Sequence, residues 1–142
     1  MRLTAHTDYA LRILLHAALV DRDGGGLLSI AEVAADHGIS RNNAMKVVNQ
    51  LAQAGLLATV RGRSGGFRLG RAAEDITLGE VVRLTEPCIQ LADCDGCILQ
   101  SHCGLTGMLH QAAQAFLRTL DGQTLAIAAR TSRLPQRVLP AE

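Results

Sequence analysis

Residues 40–71 read SRNNAMKVVNQLAQAGLLATVRGRSGGFRLGR. Ser40 predicts an N-cap for a helix that runs to about Ala54 and closes at Gly55. Ala44, Val47, Val48 and Leu51 recur at helical spacing and form its inward face. Arg41, Asn42, Asn43, Lys46, Asn49 and Gln50 fall on the outward face. Leu56–Val60 then reads as a strand, Arg61–Gly66 as a tight basic turn, and Phe67–Leu69 as the returning strand. Upstream, Ser29 and Glu32 predict a capping box opening a short helix from Ile30 to about His37, ended by Gly38. Two helices joined by His37-Gly38-Ile39 have the form of a helix-turn-helix, and a hairpin after them has the form of a wing. A plain helix pair in a core is the alternative for the helices alone. The glycine-rich RGRSGG turn moves the reading to DNA.

Charge agrees with that direction. The chain of 142 residues has a net charge of +1, but residues 1–71 hold nine Lys/Arg against five Asp/Glu, and residues 72–142 hold five against eight. Residues 40–71 carry Arg41, Lys46, Arg61, Arg63, Arg68 and Arg71 and no acid. A basic face without counter-charges fits a polyanion. Asn side chains can pair with adenine and Arg with guanine in the major groove, while Arg and Lys neutralise phosphates. The candidate contacts to double-stranded DNA are Ser40, Arg41, Asn42, Asn43, Lys46, Asn49, Arg61, Arg63 and Ser64.

The flanks complete the plan. Thr4–Val20 reads as a helix with Thr4 as N-cap, and Asp21–Gly26 as a loop. Thr77–Thr85 reads as a helix with a second capping box at Thr77 and Glu80, ended by Pro87. From Gly104 to Leu120, the residues Leu105, Met108, Leu109, Ala112, Ala113, Phe116, Leu117 and Leu120 form an apolar stripe that could cover the chain's own core or pair with a second copy of the chain, and the second copy is the favoured reading. Thr124 opens a last short helix to about Arg130. Aromatics make up only 2% of the chain, so the core is expected to be aliphatic.

Between Pro87 and Gly104 lie all four cysteines, in PCIQLADCDGCILQSHC, residues 87–103. No charge-free apolar run is long enough for a transmembrane helix, and the first residues lack the form of a signal peptide. The expectation is a cytoplasmic chain with no membrane partner, in which clustered thiols are metal ligands or redox groups. Thiolates suit iron–sulfur clusters and also zinc, and the residues alone leave a zinc site of Cys94, Cys97, Cys103 and His102 open.

LTAHTDYALRILL, SRNNAMKVVNQLAQAGLL, VRGRSGGFRLG, ITLGEVVRLTE and FLRTLDGQTLA together resemble the NsrR/IscR family of bacterial winged-helix regulators that bind iron–sulfur clusters. The match covers nearly the whole chain. It implies a mainly α fold: a winged helix-turn-helix DNA-binding domain over 1–86, a cysteine-bearing cluster loop over 87–103, dimerisation helices over 104–130 and a flexible tail over 131–142. It also implies a homodimer with one cluster per subunit, [4Fe–4S] in form with [2Fe–2S] as the alternative. The ligands implied are Cys94, Cys97, Cys103 and Asp8, the last from the other subunit. Only two residues separate Cys94 from Cys97, fewer than the family pattern has, and Cys88 is extra, so Cys88 is the substitute first ligand. Asp8 stands where the nitric-oxide-sensing members carry a carboxylate, and Thr106 stands where iron-supply sensors carry a histidine. The resemblance therefore implies a repressor, not an enzyme, that leaves its operator in response to nitric oxide. Sensing of iron or cluster supply, or of oxidants, keeps the same fold. An electron carrier or a zinc-stabilised DNA-binding protein are the rivals.

Overall fold

The computed structural model describes residues 2–136. Helix α1 spans Ala5–Arg22 and starts where expected, with the Thr4 hydroxyl accepting from the Thr7 amide. It ends two residues later than the Thr4–Val20 reading. Arg22 donates from Nη1 to the carbonyls of Ala129 (2.6 Å) and Ser132 (3.2 Å), which holds the last turn and takes Asp21 and Arg22 out of the expected loop. Helix α2 spans Ile30–His37 with both halves of its capping box formed, and Gly38 closes it in the left-handed region at φ 64°. Helix α3 spans Arg41–Gln53, capped by Ser40.

Strands β1 (Leu57–Val60) and β2 (Gly66–Leu69) pair antiparallel, with Leu57 opposite Leu69 and Val60 opposite Gly66. A third partner was not legible: Leu28 exchanges backbone hydrogen bonds of 2.8 and 2.9 Å with Phe67. The hairpin is thereby fastened to the segment leading into α2. A Cβ at Gly66 would overlap the Leu28 carbonyl, so glycine is required for that approach. This is a winged helix-turn-helix. Phe67, 1% exposed, is among the largest fully buried side chains, so the aliphatic core is built around one of the two phenylalanines.

After a 3-10 turn at Ala73–Asp75 comes α4, Leu78–Thr85. Its Thr77 cap is formed, but the second capping box is only half present. Glu80 is drawn instead to Arg71, whose Nη2 lies 2.6 Å from its Oε1. Helix α5 spans Gly104–Asp121 and packs on α4. Gly79 permits the close approach, because a Cβ there would overlap Asp121. Asp121 in turn accepts both terminal nitrogens of Arg83. Of the apolar stripe on α5, only Ala113 and Leu117 are buried, while Leu105 and Met108 are 62% and 67% exposed. Helix α6 spans Leu125–Thr131. The sequence reading groups it with α5, but Leu125 and Ala129 enter the cluster formed by Ile13, Leu14, Val33, Val47, Val48, Leu51 and Val81. Burying each such aliphatic side chain contributes roughly 1.5–3 kcal/mol. Of the expected tail, Thr131 is helical and Leu134 packs against this core, while residues 137–142 lie outside the described residues. Among the described residues, no helix is long and apolar enough to cross a membrane.

Candidate nucleic-acid interface and cysteine loop

Ala44, Val47, Val48 and Leu51 are fully buried, which turns the opposite face of α3 outward. Arg41, Asn42, Asn43, Lys46 and Asn49 are all exposed, and Met45 joins them at 43%. The hydroxyl of Ser40 accepts from the Asn43 amide at 3.2 Å, so its first duty is the helix cap. Gln50 departs from the outward-face reading. It is half-buried, with Nε2 donating to the Leu84 carbonyl at 2.9 Å and Oε1 at 2.5 Å from His6 Nε2. It fastens α3 to α1 and α4.

At the wing tip, Arg61, Arg63 and Ser64 are exposed. A groove of about 400 Å³ between α2, α3 and the hairpin is lined by Arg41 on one wall and Arg61 on the other. Basic side chains of α3 and of the wing thus stand at opposite sides of this groove.

The cysteine loop is different in kind. No residue between Pro87 and Cys103 is buried, and Ile98 is 98% exposed. Short turns shape it: the Cys97 amide donates to the Cys94 carbonyl (3.2 Å), the Gln100 amide to Cys97 (3.1 Å) and the His102 amide to Leu99 (2.9 Å). All four cysteines are free thiols. Cys94 faces α5 across a cavity of about 220 Å³ with Thr106, Leu109 and His110. Cys88 lines a separate cavity with Arg2, Leu3 and Phe116. Cys103 stands at the N-cap position of α5. The amide of Leu105, then the hydroxyl and amide of Thr106, hold its thiol below the ordinary value. These donors stabilise the thiolate, the form that binds metal.

The donor set fits a thiophilic iron centre in its chemistry: three partly or fully exposed thiols within ten residues, none of them tied in a disulfide. The described residues of one chain do not gather three metal-binding side chains around one point. Asp8 lies elsewhere, on α1, with its carboxylate on Arg12 at 2.8 and 3.0 Å. His102 is exposed in the loop and joins no metal-binding group.

Residues 3–130 match the model of the Rrf2 family, described as an iron-dependent transcriptional regulator. The chain belongs to the Rrf2 family. It is 44% identical over 130 residues to the HTH-type transcriptional regulator NsrR of Halalkalibacterium halodurans, covering 88% of each chain. It is 42% identical over 130 residues to the regulator of the same name from Bacillus licheniformis, covering 88% of this chain and 90% of that one. Among solved structures it is similar to CymR (YrzC), the global cysteine regulator of B. subtilis. The TM-score is 0.77 and the identity 25%, over 94% of this chain and 99% of that one. T. potens IscR shares the fold, with a TM-score of 0.76 at 20% identity over 100% and 93% of the two chains. This Rrf2 protein is thus a winged-helix transcription regulator of NsrR type, and the family is not a class of enzymes.

Proposed function

We propose that this Rrf2 protein is a homodimeric repressor that carries one iron–sulfur cluster per subunit, [4Fe–4S] in form, and releases its operator in response to nitric oxide. The observation that carries the reading is the loop at 87–103. It holds all four thiols of the chain, with only Cys97 and Cys103 at the family's spacing, in a segment with no buried residue of its own. A segment this long without regular structure inside a small protein is usually either functional or a linker, and its thiols favour the functional case. Cys94, Cys97 and Cys103 would hold the cluster from one chain, and Asp8 of the second chain would complete the set. When bound, the cluster supplies an iron centre that reacts with nitric oxide.

The chain's own residues do the rest. The Leu105 amide and the Thr106 hydroxyl and amide lower the Cys103 thiol from its ordinary value, the direction that favours a metal-binding thiolate. The exposed stripe of Leu105, Met108 and their helical neighbours gives α5 an apolar face for the second copy. Two copies present two recognition helices to successive half-sites about one helical turn apart. Arg41, Lys46, Arg61 and Arg63 neutralise phosphates, and Asn42, Asn43 and Asn49 meet base edges. The test is iron and acid-labile sulfide analysis of anaerobically purified protein, followed by operator binding before and after exposure to nitric oxide. Protein with neither iron nor sulfide would sink the reading. A second reading, direct sensing of oxidants by the thiols, is favoured by the free, exposed thiols of Cys88 and Cys97. It predicts metal-free protein whose DNA binding changes with peroxide.

A further inference from the structure

The strongest unassigned feature is a network of polar contacts where the cysteine loop leaves the winged-helix body. Glu86 directly precedes Pro87 and Cys88. Its carboxylate reaches back across the chain to the start of α1. Oε1 accepts from the Thr4 amide at 3.1 Å, Oε2 accepts from the Thr4 hydroxyl at 3.0 Å, and the Thr7 hydroxyl also donates to it. A carboxylate at a helix N-terminus is favoured by the unpaired amides there. Thr7 is fully buried, and the Thr85 hydroxyl, with one proton to give, lies 3.0 Å from the Thr7 hydroxyl and 2.8 Å from the Val81 carbonyl. Between Thr4 and Thr7 in the first turn of α1, His6 meets Gln50 of α3, and Gln50 donates to the Leu84 carbonyl, two residues before Glu86.

The root of the loop, the N-terminal turn of α1 and α3 are therefore joined by two sets of hydrogen bonds, Glu86 to Thr4 and Thr7 and Gln50 to His6 and Leu84, which the backbone of α1 and of residues 84–86 connects into one circuit. Apolar contacts alone would tolerate small slides between these helices. Directional bonds among three helices do not. Gln50 lies on the same helix as Asn43, Lys46 and Asn49, so a shift at Glu86 is delivered to the surface that meets DNA.

We infer that the Glu86–Thr4–Thr7 and His6–Gln50–Leu84 contacts form a latch that couples the state of the cysteine loop to the position of the recognition helix. Glu86 is a positioning residue in it: its carboxylate is bonded to Thr4 and Thr7. The inference deepens the proposed function by naming its route of transmission, and it rests on that reading for the signal. The coupling itself does not need a cluster. Because coupling is reciprocal, DNA bound at α3 must change the loop.

The test uses the full chain in its metal-free, reduced form. The probe is a duplex selected by this protein from a random-sequence pool. Alkylation rates of the loop thiols are measured with and without that duplex. In the parent, saturating duplex is expected to change the rate at Cys94, Cys97 or Cys103 by about fivefold or more. In Glu86→Gln and in His6→Ala, which circular dichroism should show folded, the change should shrink to within about twofold while the duplex still binds. Two substitutions at separate ends of the circuit guard against one of them failing to fold. Parent thiols indifferent to duplex, or variants that keep the parent's full response, would overturn the latch. Failure of the iron–sulfur reading is distinguishable, because it shows in metal analysis and leaves alkylation of free thiols intact.

Discussion

His16 Nδ1 and His37 Nε2 lie 3.0 Å apart, their rings edge-on at 66°, in the seam between α1 and the last turn of α2. His16 is only 2% exposed, and its other nitrogen, Nε2, is buried with no hydrogen-bond partner among the described residues. One ring must donate and the other accept, so the bond exists only while at least one ring is neutral. Burial is the main cause that lowers the pKa of each. His37 further lowers His16, and Arg12 further lowers His37. Asp36 opposes both shifts, and Asp8 opposes the second.

The sign follows from those directions. The unfolded chain takes up protons near the ordinary value of 6.5, above the folded pair. Stability is therefore present above about pH 6.5 and falls as the pH drops below it. Thermal melts between about pH 7.5 and pH 5.5 should show a falling midpoint. His16→Leu should flatten that fall by removing one of the two depressed groups together with its orphaned nitrogen. An identical pH slope in the variant would show that the pair is not the titrating element.

Removing one wing cation separates affinity from sequence reading. Arg63→Ala should weaken operator binding and lower the salt slope by about one unit, as expected when one phosphate is no longer neutralised. Asn42→Ala should instead relax base preference at one position, at a cost of roughly 1–3 kcal/mol. Operator affinity measured at several salt concentrations decides both. No change in either variant would take the groove assignment away from α3 and the wing.

The parts of this molecule that were legible in the sequence are those set by neighbours along the chain. Ser29, Ser40 and Thr4 each cap a helix within three residues, and Gly38 stops one, so these boundaries could be read locally. Contacts made across the chain were not. Arg22 extends α1 through the Ala129 carbonyl, over a separation of 107 residues. Leu28 joins the sheet as a single residue, too short to leave a pattern. Glu80 has the right spacing for a capping box, yet Arg71 offers a charged partner and takes it. Gln50 sits at the edge of the outward face, where periodicity cannot say whether a polar side chain meets solvent or a neighbouring helix. The clustering of the cysteines marked the loop, but nothing local could say whether Cys94, Cys97 and Cys103 come together, and the described residues of one chain do not gather three metal-binding side chains around one point.

Dimerisation should depend on the exposed side of α5. Leu109 and Phe116 are half-buried on the isolated chain, next to the exposed Leu105 and Met108. Replacing Leu109 and Phe116 by Asp would place two charges in an apolar contact, where burial without partners is strongly unfavourable. Light scattering should then report monomers with unchanged helix content. A folded dimer in the double variant would move the interface elsewhere.

Cys88 and Cys94 open onto different cavities, so the first ligand can be assigned by substitution. Cys94→Ala should lose iron and sulfide, while Cys88→Ala should retain them. The reverse pattern would mean that the short spacing before Cys97 has passed the role to Cys88.

Asp8 carries the sharpest prediction because its partner within the chain is known. Arg12 grips its carboxylate at both oxygens, but the two side chains are 44% and 49% exposed. An exposed pair four residues apart on a helix is worth only about 0.3–0.5 kcal/mol. That is too little to hold the carboxylate against a metal, so the ion pair does not exclude the ligand role. Asp8 sits in the first turn of α1, within a few residues of Thr4, Thr7 and His6. A bond from Asp8 to iron held by the other subunit would tie one winged-helix body to its partner's cysteine loop. Losing that bond would release α1 and return Asp8 to Arg12. Asp8→Ala should therefore change the absorption and circular dichroism of the loaded protein and alter its rate of reaction with nitric oxide, even where iron content stays near the parent level. Arg12→Ala should leave the spectra as in the parent, since it removes only the competitor. If Asp8→Ala matches the parent in spectra and in nitric oxide kinetics, Asp8 is a helix-end charge paired with Arg12 and the fourth ligand must be sought elsewhere.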